Sequence, residues 1–338
     1  MPMTQATSTQ IQLVSRPAGW PVPQNFRTVT IDLPPLAPGQ VRVRNDYISV
    51  DPYMRGRMND AESYTPPFAL GETMTGGAVG HVIASRSDRF AEGDLVIHPL
   101  GWRDVAQGPA EAFSPVQEVP GAAESLYLGL LGMTGRTAYV GLTAVAGLRP
   151  GDTVFVSGAA GAVGSAAGQF ARLLGASRVV GSAGSARKVE LLTGRYWFDA
   201  ALNYKDAPVR EQLPALIPEG IDVYYDNVGG DHLEAAIDVM NRDGRAALCG
   251  SISGYNAEKP TPGPDNLHML TTKGLMLKGF TVGFYQDRFA EFQQKVAEWF
   301  TAGRLVHDET VVEGLDHAVD GFLDMMRGGN IGKTVVKI

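Results

Sequence analysis

The stretch Thr153-Val154-Phe155-Val156-Ser157-Gly158-Ala159-Ala160-Gly161-Ala162-Val163-Gly164 constrains this chain more than any other. It reads as a buried strand, a glycine-rich turn and the start of a helix, in that order. At such a junction Gly158 can supply the tight turn, Gly161 lets the backbone approach a pyrophosphate, and Gly164 lets the helix pack on the strand. The N–H groups at the helix start then face the anion. The spacing is GxxGxxG rather than GxGxxG, which leaves open that the glycines serve packing only. The strand–helix context and the absence of charge favour binding. No Lys-Ser/Thr pair follows the last glycine, so this is not a Walker A loop. The uncharged run Thr153–Ala171 has the length of a membrane span, but four glycines with Ser157, Ser165 and Gln169 leave its apolar density too low.

The pattern around the junction extends the reading. After Pro150-Gly151-Asp152 the chain alternates short apolar strands with helical windows. Strands are expected at Thr153–Ser157, Arg178–Gly181, Ala200–Asn203, Asp222–Tyr225, Arg245–Cys249 and Leu275–Val282, with helices at Ala162–Leu174 and Ala186–Thr193. Phe289, Phe292, Val296 and Phe300 mark one face of a long helix over Gln286–Ala302. This βαβ order predicts an α/β fold with a doubly wound parallel sheet, the Rossmann dinucleotide-binding arrangement. The first part of the chain instead reads as β-rich, with segments at Gln10–Val14, Gln40–Asp46, Gly76–Ala84 and Leu95–Pro99. Helices are expected there only at Ser125–Leu131 and Thr134–Thr143. The tail Glu309–Ile338 reads as strand, helix, strand. A length of 338 residues accommodates about two domains.

Charge and cysteine content exclude several classes. The 29 basic and 36 acidic residues give a net charge of -7, and no run of lysines or arginines offers a nucleic-acid face. The single cysteine, Cys249, cannot form an intramolecular disulfide or a zinc site built on two or more thiolates. Met1–Gln10 is polar and lacks a basic region followed by an apolar one, so the expected location is cytoplasmic. His81, His98, His232, His268, His307 and His317 show no metal-ligand spacing, and no metal is expected.

The end of the second strand bears on the choice of dinucleotide. NAD sites place an acid about 20 residues past the glycines to hold the ribose 2′-hydroxyl. Here Arg178-Val179-Val180 runs into Gly181-Ser182-Ala183-Gly184-Ser185-Ala186-Arg187-Lys188, with no acid before Glu190. Small residues leave room for a 2′-phosphate, and Arg187 or Lys188 can supply its countercharge, although a basic pair opening a solvated helix looks the same. NADP(H) is the favoured cofactor. Tyr255-Asn256-Ala257-Glu258-Lys259 matches the YxxxK spacing of short-chain reductases, but Gly254 before it and Pro260, Pro262 and Pro264 after it argue against the helix that chemistry needs.

Further stretches recur in a recognisable order: Asn45–Gly56, Leu131–Tyr139, Gly158–Gly168, Tyr224–Gly230, Cys249–Tyr255 and Asn330–Thr334. Together with the β-rich start and the C-terminal return they resemble the medium-chain dehydrogenase/reductase superfamily. The likeness is to its zinc-free branch of prostaglandin reductases, plant alkenal double-bond reductases and bacterial curcumin reductases. The resemblance implies a β-rich GroES-like catalytic domain over 1–130, a Rossmann NADP-binding domain over 131–302, and a return to the catalytic domain over 303–338. It implies pyrophosphate contacts from Gly161, Ala162, Val163 and Gly164, cofactor binding at the Gly158 turn, and Lys188 and Tyr204 near the 2′-phosphate. Further cofactor contacts are implied at Asn227, at Cys249, Gly250, Ser251, Ile252, Ser253 and Tyr255, at Phe280, Val282 and Phe284, and at Asn330. Met133 and Thr137 would lie near the nicotinamide.

The superfamily's zinc-ligand stretches read Val50-Asp51-Pro52 and Gly71-Glu72-Thr73-Met74 here, and the cysteine-rich lobe is missing. Simple alcohol oxidation depends on that metal, whereas hydride addition to the β-carbon of an enone or enal needs only a donor for the developing enolate. The expected reaction is therefore metal-free, NADPH-dependent reduction of the carbon–carbon double bond of α,β-unsaturated ketones or aldehydes. Candidate donors are Tyr53 and Tyr64 on N-terminal loops and Tyr255 after a Rossmann strand. Mammalian and plant relatives carry a tyrosine where this chain has Thr271 or Thr272. Quinone reduction, or NADPH binding without turnover, are the alternatives. A homodimer is expected, with Leu275–Val282 as a sheet-edge strand able to pair across a two-fold axis. Replacing Lys188 with alanine should raise the KM for NADPH more than that for NADH in initial-rate assays; equal effects would remove Lys188 from phosphate recognition.

Overall fold

Two breaks divide the chain, one after Leu128 and one after Asp308. Gly129–Asp308 forms a central unit, and the segments before and after it form a second unit. The computed structural model describes residues 6–259 and 261–338; the first five residues of the polar N-terminus and Pro260 lie outside them. The second break falls beyond the expected 302 because residues 303–308 are tied into the central unit. Val306 N–H donates to Gln169 Oε1 at 2.8 Å and Gln169 Nε2 returns a bond to the Val306 carbonyl at 3.0 Å. The Asp308 carboxylate accepts the Tyr196 hydroxyl at 2.7 Å and Arg195 Nε at 2.8 Å.

The central unit is a six-stranded sheet. Its strands are β1 (Thr153–Val156), β2 (Arg178–Ala183), β3 (Ala200–Asn203), β4 (Ile221–Asp226), β5 (Met240–Leu248) and β6 (Met276–Gly279). All pairings are parallel, and the order across the sheet is β3-β2-β1-β4-β5-β6. This is the doubly wound order, with the direction of winding reversing between β1 and β4. Every residue of β1 is buried, which is why it reads as an unbroken apolar run rather than an alternating one. Val154 and Val156 join a core with Ala166, Ala167 and Phe170 on one face. Phe155 joins Leu213 and Ala236 on the other and stacks on Tyr224, with ring centroids 5.4 Å apart.

The helices of this unit are α1 (Met133–Val140), α2 (Ala162–Leu173), α3 (Ala186–Gly194), α4 (Val209–Leu216), α5 (Asp231–Val239), α6 (His268–Lys273) and α7 (Phe289–Thr301). Glycine lets α2 lie close to its neighbours: a Cβ on Gly168 would stand 2.0 Å from the Phe198 ring. Helix α7 buries Phe292, Val296 and Trp299, while Phe289 and Phe300 sit half-buried beside that seam. Three expectations change. The helix over Thr134–Thr143 is α1 followed by a π-turn at Gly141–Val145, where Tyr225 occupies a notch. A Cβ on Gly141 would fall 2.4 Å from that ring, and the Tyr225 hydroxyl donates to the Thr137 carbonyl at 2.8 Å. Ser125–Leu131 yields only a 3-10 turn over Glu124–Leu128. The strand over Leu275–Val282 shrinks to the four residues of β6, because the chain turns at Val282–Phe284.

In the second unit a seven-stranded sheet is centred on the long strand Gln40–Val50. The C-terminal strand Lys333–Lys337 pairs antiparallel with Tyr47–Val50 and parallel with Glu309–Glu313, so the segments before and after the central unit share one sheet. Beside this joint a buried ion pair links them. Lys333 Nζ lies 2.8 Å from Asp51 Oδ1 and 2.7 Å from the Val50 carbonyl, and the other Asp51 oxygen accepts Ser49 Oγ. Among the described residues no helix is long and apolar enough to cross a membrane. Breaking a buried pair leaves one charge uncompensated, so Lys333→Met should lower the unfolding free energy of this unit by about 3–5 kcal/mol in urea titrations. Adding Asp51→Asn to that variant should recover part of the loss.

Candidate active site

The reversal point between β1 and β4 is where a doubly wound sheet opens a crevice at its C-terminal edge. Ser157 and Asp226 stand there, at the ends of the two strands. Asp226 is buried, and its Oδ1 accepts four bonds: from Ser157 Oγ at 2.9 Å, the Tyr224 hydroxyl at 2.6 Å, Val228 N–H at 2.9 Å and Gly229 N–H at 2.8 Å. Asn227 reaches back to β1, donating through its backbone to Ser157 Oγ at 2.9 Å and through Nδ2 to the Ser157 carbonyl at 2.7 Å. The Asp226 carbonyl accepts Cys249 N–H at 2.8 Å and Gly250 N–H at 3.1 Å, and Ser253 Oγ donates to the Val228 carbonyl at 2.6 Å. The loops after β1, β4 and β5 are thus one hydrogen-bonded assembly. It gathers Gly158–Gly164, Asn227 and Cys249–Tyr255.

The glycine loop has the shape that a pyrophosphate requires. Gly158 has φ +59°, and a Cβ on Gly164 would fall 2.4 Å from the Gly158 carbonyl oxygen. Gly161 caps the twelve-residue α2 without offering a side-chain acceptor, which leaves the first-turn N–H groups of Ala162, Val163 and Gly164 for an anion. Tyr255 folds back over its own loop: its hydroxyl accepts Ser251 N–H at 3.4 Å and would meet a Cβ on Gly250 at 3.1 Å. The segment after it is turn, not helix, so Lys259 is no helical partner of Tyr255. The Cys249 thiol is pushed up to about 12 by burial, so it is neutral at physiological pH.

At the ends of β2 and β3 the chain brings Gly184 and Tyr204 together, and α3, which carries Lys188, starts just after Gly184. Ser185 caps α3 by accepting Lys188 N–H at 3.3 Å, which sets the direction of the first turn. Tyr204 N–H donates to the Ala183 carbonyl, and its ring meets His232 edge-on at 5.3 Å. A Cβ on Gly184 would stand 2.5 Å from the Tyr204 hydroxyl, so only glycine lets the ring cross this loop. No residue from Gly184 to Val189, after β2, is acidic. Met133 on α1 is 38% exposed, and the Thr137 hydroxyl bonds the Met133 carbonyl. Phe280 packs edge-on to Tyr225, Val282 is half-buried, and Phe284 is 77% exposed. Thr271 and Thr272 are exposed on α6, and Thr272 Oγ1 donates to the Met269 carbonyl at 3.3 Å.

Tyr53, Tyr64 and Asn330 belong to the other unit. Tyr53 opens the short helix Tyr53–Arg57 and is half-buried. Burial and the nearby Asp51 charge hold its phenol above the usual tyrosine range, while the nearby Arg57 opposes them. Tyr64 is 62% exposed on the loop that follows. Asn330 Nδ2 donates to the Gly332 carbonyl at 2.9 Å. His98 is buried with Nδ1 accepting Leu100 N–H, so its Nε2 donates to Asn45 Oδ1 at 2.9 Å. Burial drives it down to about 3, a neutral structural histidine. Sequence reasoning missed Gly184 and the hub role of Asp226. The acid was visible as a residue, but nothing in a linear pattern tells which neighbours it meets.

Comparisons with known proteins bear on the identity of this site. Residues 9–116 match the family model described as the N-terminal domain of oxidoreductase, and residues 162–302 match the one described as zinc-binding dehydrogenase. A 2-alkenal reductase (NADP(+)-dependent) of Nicotiana tabacum is 40% identical, covering 99% of this chain and 98% of its own. An NADPH-dependent curcumin reductase of Escherichia coli (strain K12) is 39% identical over 96% of this chain and 95% of its own. The crystal structure of CurA from Vibrio vulnificus in complex with NADPH superposes with a TM-score of 0.92 at 38% identity, covering 98% of this chain and 99% of that one. NADP(H) is the cofactor, and the glycine cradle fits it. Gly164→Ala should force the loop away from α2 and weaken NADPH binding by about 10-fold or more in fluorescence titrations; unchanged affinity would show that the cradle tolerates a side chain.

Proposed function

Since the chain belongs to the medium-chain dehydrogenase/reductase superfamily and is an NADP-dependent oxidoreductase, we propose that it reduces the carbon–carbon double bond of α,β-unsaturated aldehydes and ketones. The observation that carries this reading is the full-length likeness to a 2-alkenal reductase, since a 2-alkenal bears its double bond beside the carbonyl. Asp51, at the stretch compared above with a zinc ligand, is engaged by Lys333 in a buried ion pair. Charge stabilisation in the reaction is therefore assigned to hydroxyl donors.

When bound, NADPH supplies the hydride. The backbone N–H groups from Ala162 to Gly164 hold its pyrophosphate, and Lys188 and Tyr204 hold its 2′-phosphate. Asn227 and the loop Cys249–Tyr255 shape the crevice at the reversal point, with Met133 and Thr137 toward the nicotinamide. Hydride addition at the substrate's β-carbon moves an electron pair toward the carbonyl oxygen, and a proton is then needed at the α-carbon. Tyr53 is the donor best supported: it is half-buried, and burial keeps its phenol protonated. Tyr64, far more exposed, assists at the carbonyl, and Tyr255 braces the loop from Ser251. The same reading includes a homodimer, because among the described residues β6 is hydrogen-bonded only to β5 and its outer edge can pair with a second copy.

Incubation with NADPH and a small enone should consume NADPH and yield the saturated ketone, identified by mass spectrometry. An allylic alcohol as sole product, turnover of quinones only, or tight NADPH binding without turnover would each overturn the reading. Tyr53→Phe should lower kcat by about 100-fold while leaving the KM for NADPH unchanged.

A further inference from the structure

In a doubly wound sheet an NAD site places its acid just past the second strand. Here that position is Gly184, directly after β2, and the space its side chain would take is filled. A Cβ on Gly184 would stand 2.5 Å from the Tyr204 hydroxyl and 2.8 Å from the ring carbon that bears it. The phenol reaches across from the end of β3 and puts a neutral donor where an acid would put an anionic acceptor. Among the described residues that hydroxyl has no hydrogen-bond partner. The backbone N–H of Tyr204 donates to the Ala183 carbonyl at 3.1 Å, and its ring meets the His232 imidazole edge-on, with centroids 5.3 Å apart and planes at 75°. His232 stands in the first turn of α5 and is 5% exposed. Its Nε2 is buried with no hydrogen-bond partner among the described residues, so packing sets the imidazole. Burial holds it below the usual histidine range, against the nearby Asp226 and Asp231 charges, so the ring is neutral. Its backbone N–H bonds the Gly229 carbonyl at 3.2 Å, and Gly229 N–H is one of the four donors on Asp226. His232 therefore joins the Tyr204 ring to the assembly that shapes the crevice.

We infer that His232 is a positioning residue whose ring fixes the Tyr204 ring, so that the hydroxyl stands over Gly184 and favours a cofactor carrying a 2′-phosphate. The inference rests on the reading of Tyr204 at that phosphate. A phosphate oxygen there accepts the phenol O–H, and a hydrogen bond to a charged acceptor is stronger than one to the 2′-hydroxyl of NADH. Burial raises the Tyr204 phenol above the usual tyrosine range, which keeps the donated proton on it. Tyr204 is 38% exposed, and on its exposed side no neighbour stops the ring from swinging out. The edge-on contact with His232 opposes that motion, and pairs of this kind shift an equilibrium by about 2- to 10-fold. Because Nε2 makes no hydrogen bond, the aromatic ring rather than the nitrogen carries the effect. His232 acts at one remove, since a side chain buried to this extent has no face to offer the cofactor.

The test is calorimetric titration with adenosine 2′,5′-bisphosphate and adenosine 5′-monophosphate, which differ only in the 2′-phosphate. Tyr204→Phe should weaken the bisphosphate by about 10-fold or more and change the monophosphate by less than about twofold. His232→Ala should weaken the bisphosphate by about 3- to 10-fold and again spare the monophosphate. His232→Phe, which keeps an aromatic ring, should stay within about twofold of wild type. In the Tyr204→Phe background, His232→Ala should cost the bisphosphate less than about twofold further. Four results would each overturn the inference: unchanged bisphosphate affinity in His232→Ala, equal weakening of both fragments, the same loss in both backgrounds, or a folded His232→Phe as impaired as His232→Ala. If Tyr204→Phe keeps the wild-type ratio of the two affinities, the reading of Tyr204 fails and the inference falls with it. If Tyr204→Phe lowers that ratio and His232→Ala does not, the inference alone fails. If His232→Ala does not fold by circular dichroism, His232→Leu, which fills the space without an aromatic ring, takes its place in every comparison.

Discussion

One carboxylate oxygen organises everything the central unit presents to a dinucleotide. Asp226 Oδ1 gathers two hydroxyls and two backbone amides from two stretches of chain, Ser157 and Tyr224–Gly229. A buried carboxylate costs several kcal/mol unless donors replace its lost water, and here four donors do so, none of them a cation. Each donor is thereby oriented in turn. Ser157, having given its hydroxyl proton to Asp226, accepts Asn227 N–H on the same oxygen, and Asn227 then reaches the Ser157 carbonyl. Such a network is cooperative and admits few alternatives, because moving one member strands several buried polar groups. The loops after β1, β4 and β5 inherit one geometry from it.

Glycine completes what the acid begins. The network pulls the loops together, and the positions where they meet cannot carry side chains. Gly164 touches the turn at Gly158, Gly184 lies under the Tyr204 hydroxyl, and Gly250 lies under that of Tyr255. Two of these glycines sit beneath tyrosines, so missing Cβ atoms set where aromatic rings can lie. Tyr225 follows the same logic in the notch at Gly141, where it interrupts α1 with a π-turn and anchors the Thr137 carbonyl. Backbone shape and aromatic placement in this unit are therefore one problem rather than two.

How much of this could be read from the sequence depends on the range of the interaction. The strand–turn–helix at Thr153–Gly164 is local, and its residues carry their own period, so β1 and α2 were legible. The parallel order was legible too, since βαβ alternation leaves few topologies. The shortening of β6 was not, because a turn at Val282–Phe284 depends on Phe280 packing against Tyr225, far away in the chain. The extension of the central unit to Asp308 depends on Gln169 and Tyr196, more than a hundred residues upstream. For the site, the glycines announced themselves by pattern. The hub role of Asp226 did not, because it comes from donors on Ser157, Tyr224, Val228 and Gly229 meeting one carboxylate oxygen.

The second unit applies the same physics with the charges reversed in role. Asp51 stands two residues before Tyr53, and its carbonyl accepts Met54 N–H at the start of the helix. Left bare, that carboxylate would be costly to bury, and its field would act fully on the phenol. Lys333, brought in by the C-terminal strand, neutralises it from one side. Phenol ionisation is opposed by burial and by Asp51. This explains why the last strand of the chain must return to the first unit rather than end in the central one: without Lys333 the helix that carries Tyr53 would begin on an uncompensated buried charge.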